Sequence, residues 1–375
     1  MLNNHQTDYS FAEAVSVCIR NNLTFAAYRQ PDANRPVLVV QSHQPPRLIS
    51  PQDDHDTLSG FLVTPFTETA CCTAFLIEPD LFTGTDVTED LIRQLKALKH
   101  EKLHDKGCSV PGEISGADYR ALIKTIVNYI HLGTFEKVVP SRVKIIRGVY
   151  TDKLGIVFNM LCRAYPSAFI YIFNNGDHLW MGATPEPLLL AMNGTMQTVS
   201  QAGTRSYSEE NANIGAWNSK ERLEQEYVTR YISRVIAHYN LTDVDLQGPY
   251  TRKAGNLLHL CTDFSFSARN LKGRLGEFLH DLHPTPAVCG MPYRPSLELL
   301  MKLEKHEREY YAGYLGPVGP EGRISLFVNL RCMKVLHDRL ALFIGGGITA
   351  DSVPEEEWLE TEIKAETLLS VINQL

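Results

Sequence analysis

The chain has 375 residues, 44% of them hydrophobic and 21% charged. That length fits two or three domains or one large mixed unit, and the apolar content excludes a disordered, collagen-like or simple coiled-coil chain. Lys and Arg number 36 against 43 Asp and Glu, a formal charge of −7, so no global basic field attracts nucleic acid or acidic membranes, although a local patch is still allowed. The apolar spacing predicts a helix over 11–21, then short strands over 23–28 and 36–40 among Pro-rich loops. A helix is expected over 115–131, with Asp118 near its start, a strand over 138–146 and a helix over 153–164. Strands over 168–173 and 178–181 flank Asn174-Asn175-Gly176-Asp177, and strands over 188–192 and 195–199 flank Asn193-Gly194, a strong hairpin signal.

Further helices are expected over 219–238, 275–280 and 296–305, a second strand-rich stretch over 310–344, and a last helix from about 354 to 374. Two rounds of strands with covering helices predict one large α+β body with two sheet layers. No run reaches the ~20 apolar residues of a membrane helix. The first residues lack the charged and apolar regions of a secretory signal, so a soluble cytoplasmic protein is expected. The eight cysteines, at 18, 71, 72, 108, 162, 261, 289 and 332, contain no CxxC. They read as reduced, buried thiols, not as a disulfide frame or zinc site.

Two helices carry carboxylates on their apolar sides. Over 219–238, Leu223, Tyr227, Val228, Tyr231, Ile232, Val235 and Ile236 form an apolar arc that also contains Glu221 and Glu224. In the last helix, Trp358, Ala365, Leu368, Leu369, Val371 and Ile372 define a stripe that contains Glu357 and Lys364, with Glu360 at its edge. Inward carboxylates are costly unless a cation or donors meet them. Two ExxE pairs on facing helices suit one hard divalent ion, and oxygen-only ligation favours Mg²⁺ over zinc. Mg²⁺ takes one or two carboxylates directly and keeps waters. Taken singly, each helix also reads as a solvated face laced with pairs such as Glu360–Lys364 and Lys220–Glu224.

Lys220-Glu221-Arg222-Leu223-Glu224-Gln225 resembles the KDxxEH helix of the chorismate-utilising enzymes: the anthranilate, aminodeoxychorismate, isochorismate and salicylate synthases. Gly182-Ala183-Thr184-Pro185-Glu186, Gln201-Ala202-Gly203-Thr204-Arg205 and Leu282-His283-Pro284-Thr285-Pro286-Ala287 are similar to further motifs of that family. So are Tyr311-Ala312-Gly313, Leu330-Arg331-Cys332, Gly345-Gly346-Gly347-Ile348 and Glu357-Trp358-Leu359-Glu360-Thr361. Together they follow the family's order over about 115–375, whereas the first ~110 residues match loosely. The resemblance implies a two-sheet sandwich with helices outside and a central active-site cleft. It also implies a catalytic region over 111–375 and a divergent part of the same body over 1–110.

By motif position, Glu224 and Glu360 resemble direct Mg²⁺ ligands, with Glu221 and Glu357 as water-holding partners. Gly203 and Thr204 resemble the backbone donors to the ring carboxylate of chorismate. Arg331, Tyr311 and Gly345 resemble the clamp on the enolpyruvyl carboxylate, and Lys364 adds positive charge. His259 matches a histidine near the ring, although a packed histidine is an equal reading of the residue itself. Glu186 resembles the general acid that protonates the departing C4 hydroxyl, which requires a raised pKa. Lys137, which alone reads as a solvated strand-edge lysine, resembles the base that activates water for attack at C2.

Amine-transferring relatives typically carry Gln at the position of Lys137, and aminodeoxychorismate synthases carry Lys at that of Ala202. The resemblance therefore implies water as nucleophile, isochorismate as product and no amidotransferase partner. Salicylate synthases tend to carry Thr where Ala287 stands, so salicylate formation with loss of pyruvate is the alternative, and a non-catalytic chorismate binder the third reading. Menaquinone, siderophore and salicylate routes all draw on isochorismate. The chain departs from the usual pattern at Gln225, Glu221 and Pro187, none of which removes a proposed acid, base or ligand.

Overall fold

The computed structural model describes residues 2–101, 110–254 and 257–375 of the chain, with Cys108 outside that range. Two large antiparallel sheets form the body. The first runs β6 (Phe82–Gly84), β2 (Val37–Gln41), β1 (Thr24–Arg29), β9 (Phe169–Asn174), β10 (Leu179–Thr184), β18 (Cys332–Val335), β19 (Arg339–Gly345), β8 (Ser141–Arg147). The second runs β13 (Asp245–Ala254), β14 (Leu257–Ser267), β12 (Thr195–Ser206), β11 (Pro187–Met192), β17 (Arg323–Val328), β16 (Tyr314–Gly319), β4 (Gly60–Thr64), β5 (Phe75–Ile77), β3 (Arg47–Leu48). A small pair joins β15 (Gly290–Met291) to β7 (Lys137–Val138). Strands from the first ~110 residues extend both large sheets.

The strand β9 explains the layering. Phe169, Tyr171 and Phe173 enter the core between the sheets, while Ile170 and Ile172 enter a second core beneath helices. A strand buried on both faces reads as a continuous apolar run, as Phe169–Phe173 does. The ring of Phe169 stacks on Phe327 of the second sheet with centroids 4.3 Å apart, which fixes the two layers face to face. The helices α1 (Leu2–Arg20), α2 (Glu89–Ala97), α4 (Leu154–Ala164) and α8 (Pro354–Ile372) contribute to the second core. α3 (Gly116–His131), α5 (Ser219–His238), α6 (Leu275–Leu282) and α7 (Tyr293–Leu303) contribute to the first.

The helix 219–238 has the predicted limits, closed at its N-terminus by an Asn218–Glu221 capping box. The strand expected over 138–146 is broken into β7 and β8 by Val139-Pro140, because proline cannot donate to a ladder. β13 and β14 occupy a stretch for which no element was expected. β14 nevertheless alternates buried Phe264 and Phe266 with the more exposed Asp263, Ser265 and Ser267, a period-two signal present in the sequence. None of the seven described cysteines is in a disulfide, and no described helix is long and apolar enough to cross a membrane.

Candidate active site

A local irregularity in the second sheet starts the site. The β12–β14 register pairs Ala202 with Leu260 and next pairs Arg205 with Leu258, so Gly203 and Thr204 are left out of the ladder. Gly203 has φ +71°, and a Cβ there would lie 3.2 Å from the ring of Trp217. The bulge thus leaves a short run of backbone outside the ladder on the cavity wall. Facing it is the turn Gly345-Gly346-Gly347 that follows β19. A Cβ on Gly345 would meet Tyr311 Oη at 2.6 Å, and one on Gly347 would meet Glu224 Oε1 at 2.3 Å. Only glycine lets backbone approach these groups so closely.

Between these walls lies a cavity of about 70 Å³, bounded by Glu186, Gly203, Thr204, Glu224, His259, Ala287, Tyr311, Arg331, Gly345, Glu360 and Lys364. It shares Pro185, His259 and Arg331 with a neighbouring cavity of about 510 Å³, and the two together fall in the range of small-molecule sites. Three expected site residues, Lys137, Glu221 and Glu357, do not line the smaller cavity but stand behind it. Lys137 is fully buried, with Nζ 2.9 Å from Glu224 Oε1.

Each of the four carboxylates has a cation. Glu221 accepts two bonds of 2.6 Å from Arg205 and one of 2.9 Å from the Asn218 N–H, so its two oxygens serve the helix cap and the guanidinium. Glu357 is paired with Lys220 at 2.9 Å, and Glu360 with Lys364 at 2.5 Å. Lys220 also feels Glu224 and Glu360, which together with Glu357 hold its ammonium above the usual range. Glu357 is pushed up by burial and by its neighbour Glu360, while Glu360 is held down by Lys364, Lys220 and Arg331. A Cβ on Gly346 would reach Glu357 Oε2 at 3.5 Å and Glu360 Oε1 at 3.8 Å. Carboxylates from α5 and α8 therefore converge on the Gly346-Gly347 turn. That all-oxygen donor set, cradled by glycines, fits a hard divalent ion such as Mg²⁺.

Glu186 follows β10 and is buried, which pushes its carboxyl up to about 7 against the opposing pull of Lys137, Arg331, Lys364 and Arg252. His259 is held at about 3 by burial and the nearby Arg331, so it is neutral. Its Nδ1 lies 2.9 Å from the Gly203 carbonyl, which only accepts; Nδ1 therefore donates, and Nε2 offers a lone pair with no hydrogen-bond partner among the described residues. Arg331 is half-buried in a left-handed backbone conformation, φ +48°, and its buried Nη1 is likewise unpartnered among the described residues. Tyr311 stacks on Phe343, and burial pushes its phenol up. Lys364 also donates to the Gly345 carbonyl at 3.0 Å. Ala287 leaves the wall beside Val288 without a hydroxyl or bulk.

Part of the helical-face reading is corrected. Leu223 is 42% exposed, and Gln225 takes the inward position, donating to Ser200, Thr229 and Thr262 side chains. The inward patch of α5 is thus a polar network on β12 and β14, invisible to a period that counts apolar residues alone. Lys220 and Arg205 were in the quoted motifs, yet only folding reveals them as partners of Glu357 and Glu221.

The chorismate-binding enzyme family matches residues 66–373. The chain belongs to this family. An isochorismate synthase of Escherichia coli strain K12, EntC, is 30% identical over 243 residues, 63% of this chain and 62% of that protein, so the match spans less than two thirds of the relative. The solved structure of the menaquinone-specific isochorismate synthase MenF from Escherichia coli superposes with a TM-score of 0.75 at 19% identity, covering 95% of this chain and 90% of that one. Anthranilate synthase component I from Streptococcus pneumoniae superposes with a TM-score of 0.61 at 18% identity, covering 92% and 91%. The two-sheet sandwich of this chain is therefore the fold of both kinds of synthase.

Proposed function

We propose that the protein is an isochorismate synthase, which adds water at C2 of chorismate and releases the C4 hydroxyl. The observation that carries this reading is a buried carboxyl, Glu186, held protonated to about pH 7 on the cavity wall, with Lys137 buried behind that wall against Glu224. Lys137, an ammonium against Glu224 at rest, first gives a proton to solvent; its Nζ then takes a proton from the attacking water, the ring double bond shifts, and Glu186 gives its proton to the departing hydroxyl, which leaves as water. Water in and water out make the conversion an isomerisation, and the proton that Lys137 first gave up is returned to Glu186 by solvent. Arg331 and Tyr311 clamp one substrate carboxylate, the Gly203–Thr204 backbone holds the other, and His259 Nε2 accepts from a ring hydroxyl. Mg²⁺ held by Glu224 and Glu360, with Glu357 and Glu221 behind them, would neutralise substrate carboxylate charge.

Incubation with chorismate and Mg²⁺, with products resolved by chromatography, tests the reading. Isochorismate is expected; salicylate with equimolar pyruvate would assign the salicylate synthase reaction, and unchanged chorismate would leave a binding protein. Lys137→Ala is expected to lose turnover by at least ~10²-fold while still binding chorismate, and undiminished turnover would remove Lys137 as the base.

A further inference from the structure

Outside that cavity, one cluster brings three kinds of metal-ligating side chain together. Cys72 lies in the loop between β4 and β5, His178 just before β10, and Glu309 between α7 and β16. All three are buried, and a sulfur, a ring nitrogen and a carboxylate oxygen lie within 4.8 Å of one another. We propose that Cys72, His178 and Glu309 bind a divalent ion of the zinc type, a water completing the tetrahedron, and that the ion braces the contact between the two sheets. Thiolate, imidazole and carboxylate form a borderline donor set, unlike the all-oxygen set of the active cavity. The reading amends the expectation that no cysteine of this chain serves a zinc site.

The spacing supports it. His178 Nδ1 and Glu309 Oε2 are 3.5 Å apart. Ligands at the ~2.0–2.2 Å of zinc–nitrogen and zinc–oxygen bonds stand about 3.3–3.5 Å from each other along a tetrahedral edge. Orientation supports it too. His178 Nε2 lies 3.2 Å from the Cys71 carbonyl, which only accepts, so Nε2–H donates there and Nδ1 is the ring nitrogen turned toward Glu309. A ligating imidazole is commonly anchored through its other nitrogen to a carbonyl in this way. The second oxygen of Glu309 accepts from Lys334 of β18 at 2.7 Å, which fixes the carboxylate plane.

The backbones are held as well. Thr69 and Cys72 exchange bonds, with the Cys72 N–H on Thr69 Oγ1 at 3.1 Å and the Thr69 N–H on the Cys72 carbonyl at 2.9 Å. Glu309 has φ +51°, and its carbonyl accepts from the Phe66 N–H at 3.0 Å. The ion would pin a loop of the second sheet to a hairpin of the first. It would also brace the segment that leads into Tyr311, on the wall of the active cavity.

The test uses the full chain, stripped with a chelator and loaded with Co²⁺ or Zn²⁺. Co²⁺ is expected to give a near-ultraviolet thiolate charge-transfer band with tetrahedral visible absorption, and dialysed zinc-loaded protein to retain about one zinc per chain by mass spectrometry. Cys72→Ser is expected to lose both signals, while Glu360→Gln keeps them. A wild-type chain with no thiolate band and no retained zinc overturns the proposal. So does a Cys72→Ser chain that retains zinc undiminished, because the ion then sits among the glutamates. Should Cys72→Ser not fold, the wild-type band and zinc content decide the question alone, and neither depends on turnover.

Discussion

The role proposed for Glu186 rests on the cost of burying a charge. Between the ordinary carboxyl range near 4.5 and about 7, the unfolded chain has given up this proton while the folded chain keeps it. The unfolded state then binds fewer protons, so this residue's contribution to stability is full below about 4.5, declines as pH rises to about 7, and stays lost above. Two outcomes are expected. Turnover should fall as pH rises through about 7, read from the pH–rate profile, because the acid is then spent before use. Glu186→Gln should lower turnover by roughly 10²–10⁴-fold yet raise the melting temperature at pH 8, since the amide has no proton to lose. A variant that melts lower at pH 8 than the parent would refute the burial argument. Glu186 was legible only through its resemblance to the family's general acid; its raised pKa was not, because burial is a property of the fold.

At the scale of elements, the site depends on interruptions of regular structure. The β12 bulge frees Gly203 and Thr204 because Gly203 tolerates φ +71°. Gly203→Ala should cost about 1–2 kcal/mol in denaturant unfolding, the penalty of a left-handed L-residue, and raise the KM for chorismate more than it lowers kcat. A second device lies under β7. Arg308 donates to the Val139 carbonyl at 2.6 Å and the Val288 carbonyl at 2.8 Å, and is doubly bonded to Glu304. Glu304 in turn accepts from the Ser141 N–H at 2.6 Å and its hydroxyl at 2.9 Å. This buried pair ties the segment after Lys137 to the segment after Ala287. Arg308→Met strands the Glu304 carboxylate, and urea unfolding should show a loss of about 3–5 kcal/mol. No expectation attached to Glu304 or Arg308 in the sequence, because nothing local tells that they close a site instead of facing solvent.

For the whole molecule, the arithmetic of charge makes a further prediction. Glu221, Glu224, Glu357 and Glu360 are matched by Arg205, Lys137, Lys220 and Lys364. The cluster is already neutral, so a divalent cation alone adds uncompensated charge beside Arg331. The two carboxylates of chorismate supply the compensation, so Mg²⁺ and substrate should each tighten the other's binding by the same factor. Titration calorimetry should show weak Mg²⁺ binding to the free protein and at least several-fold tighter binding with chorismate present. Equal affinities would show that the internal ion pairs do not resist the metal. Glu360→Gln should weaken both ligands together.

The sequence by itself determined most of the secondary structure: α5 and α8 follow from apolar periodicity, and the inward placement of Glu224 and Glu357 from their positions on those helices. The ordered motifs fixed the family, because residue identity at set spacing survives where overall similarity is low. The tertiary structure alone decided which cation meets which carboxylate, that Lys137 is buried against Glu224, and that Glu186 retains its proton. Each of these depends on distance and solvent exclusion between segments remote in the chain, and no local pattern encodes either.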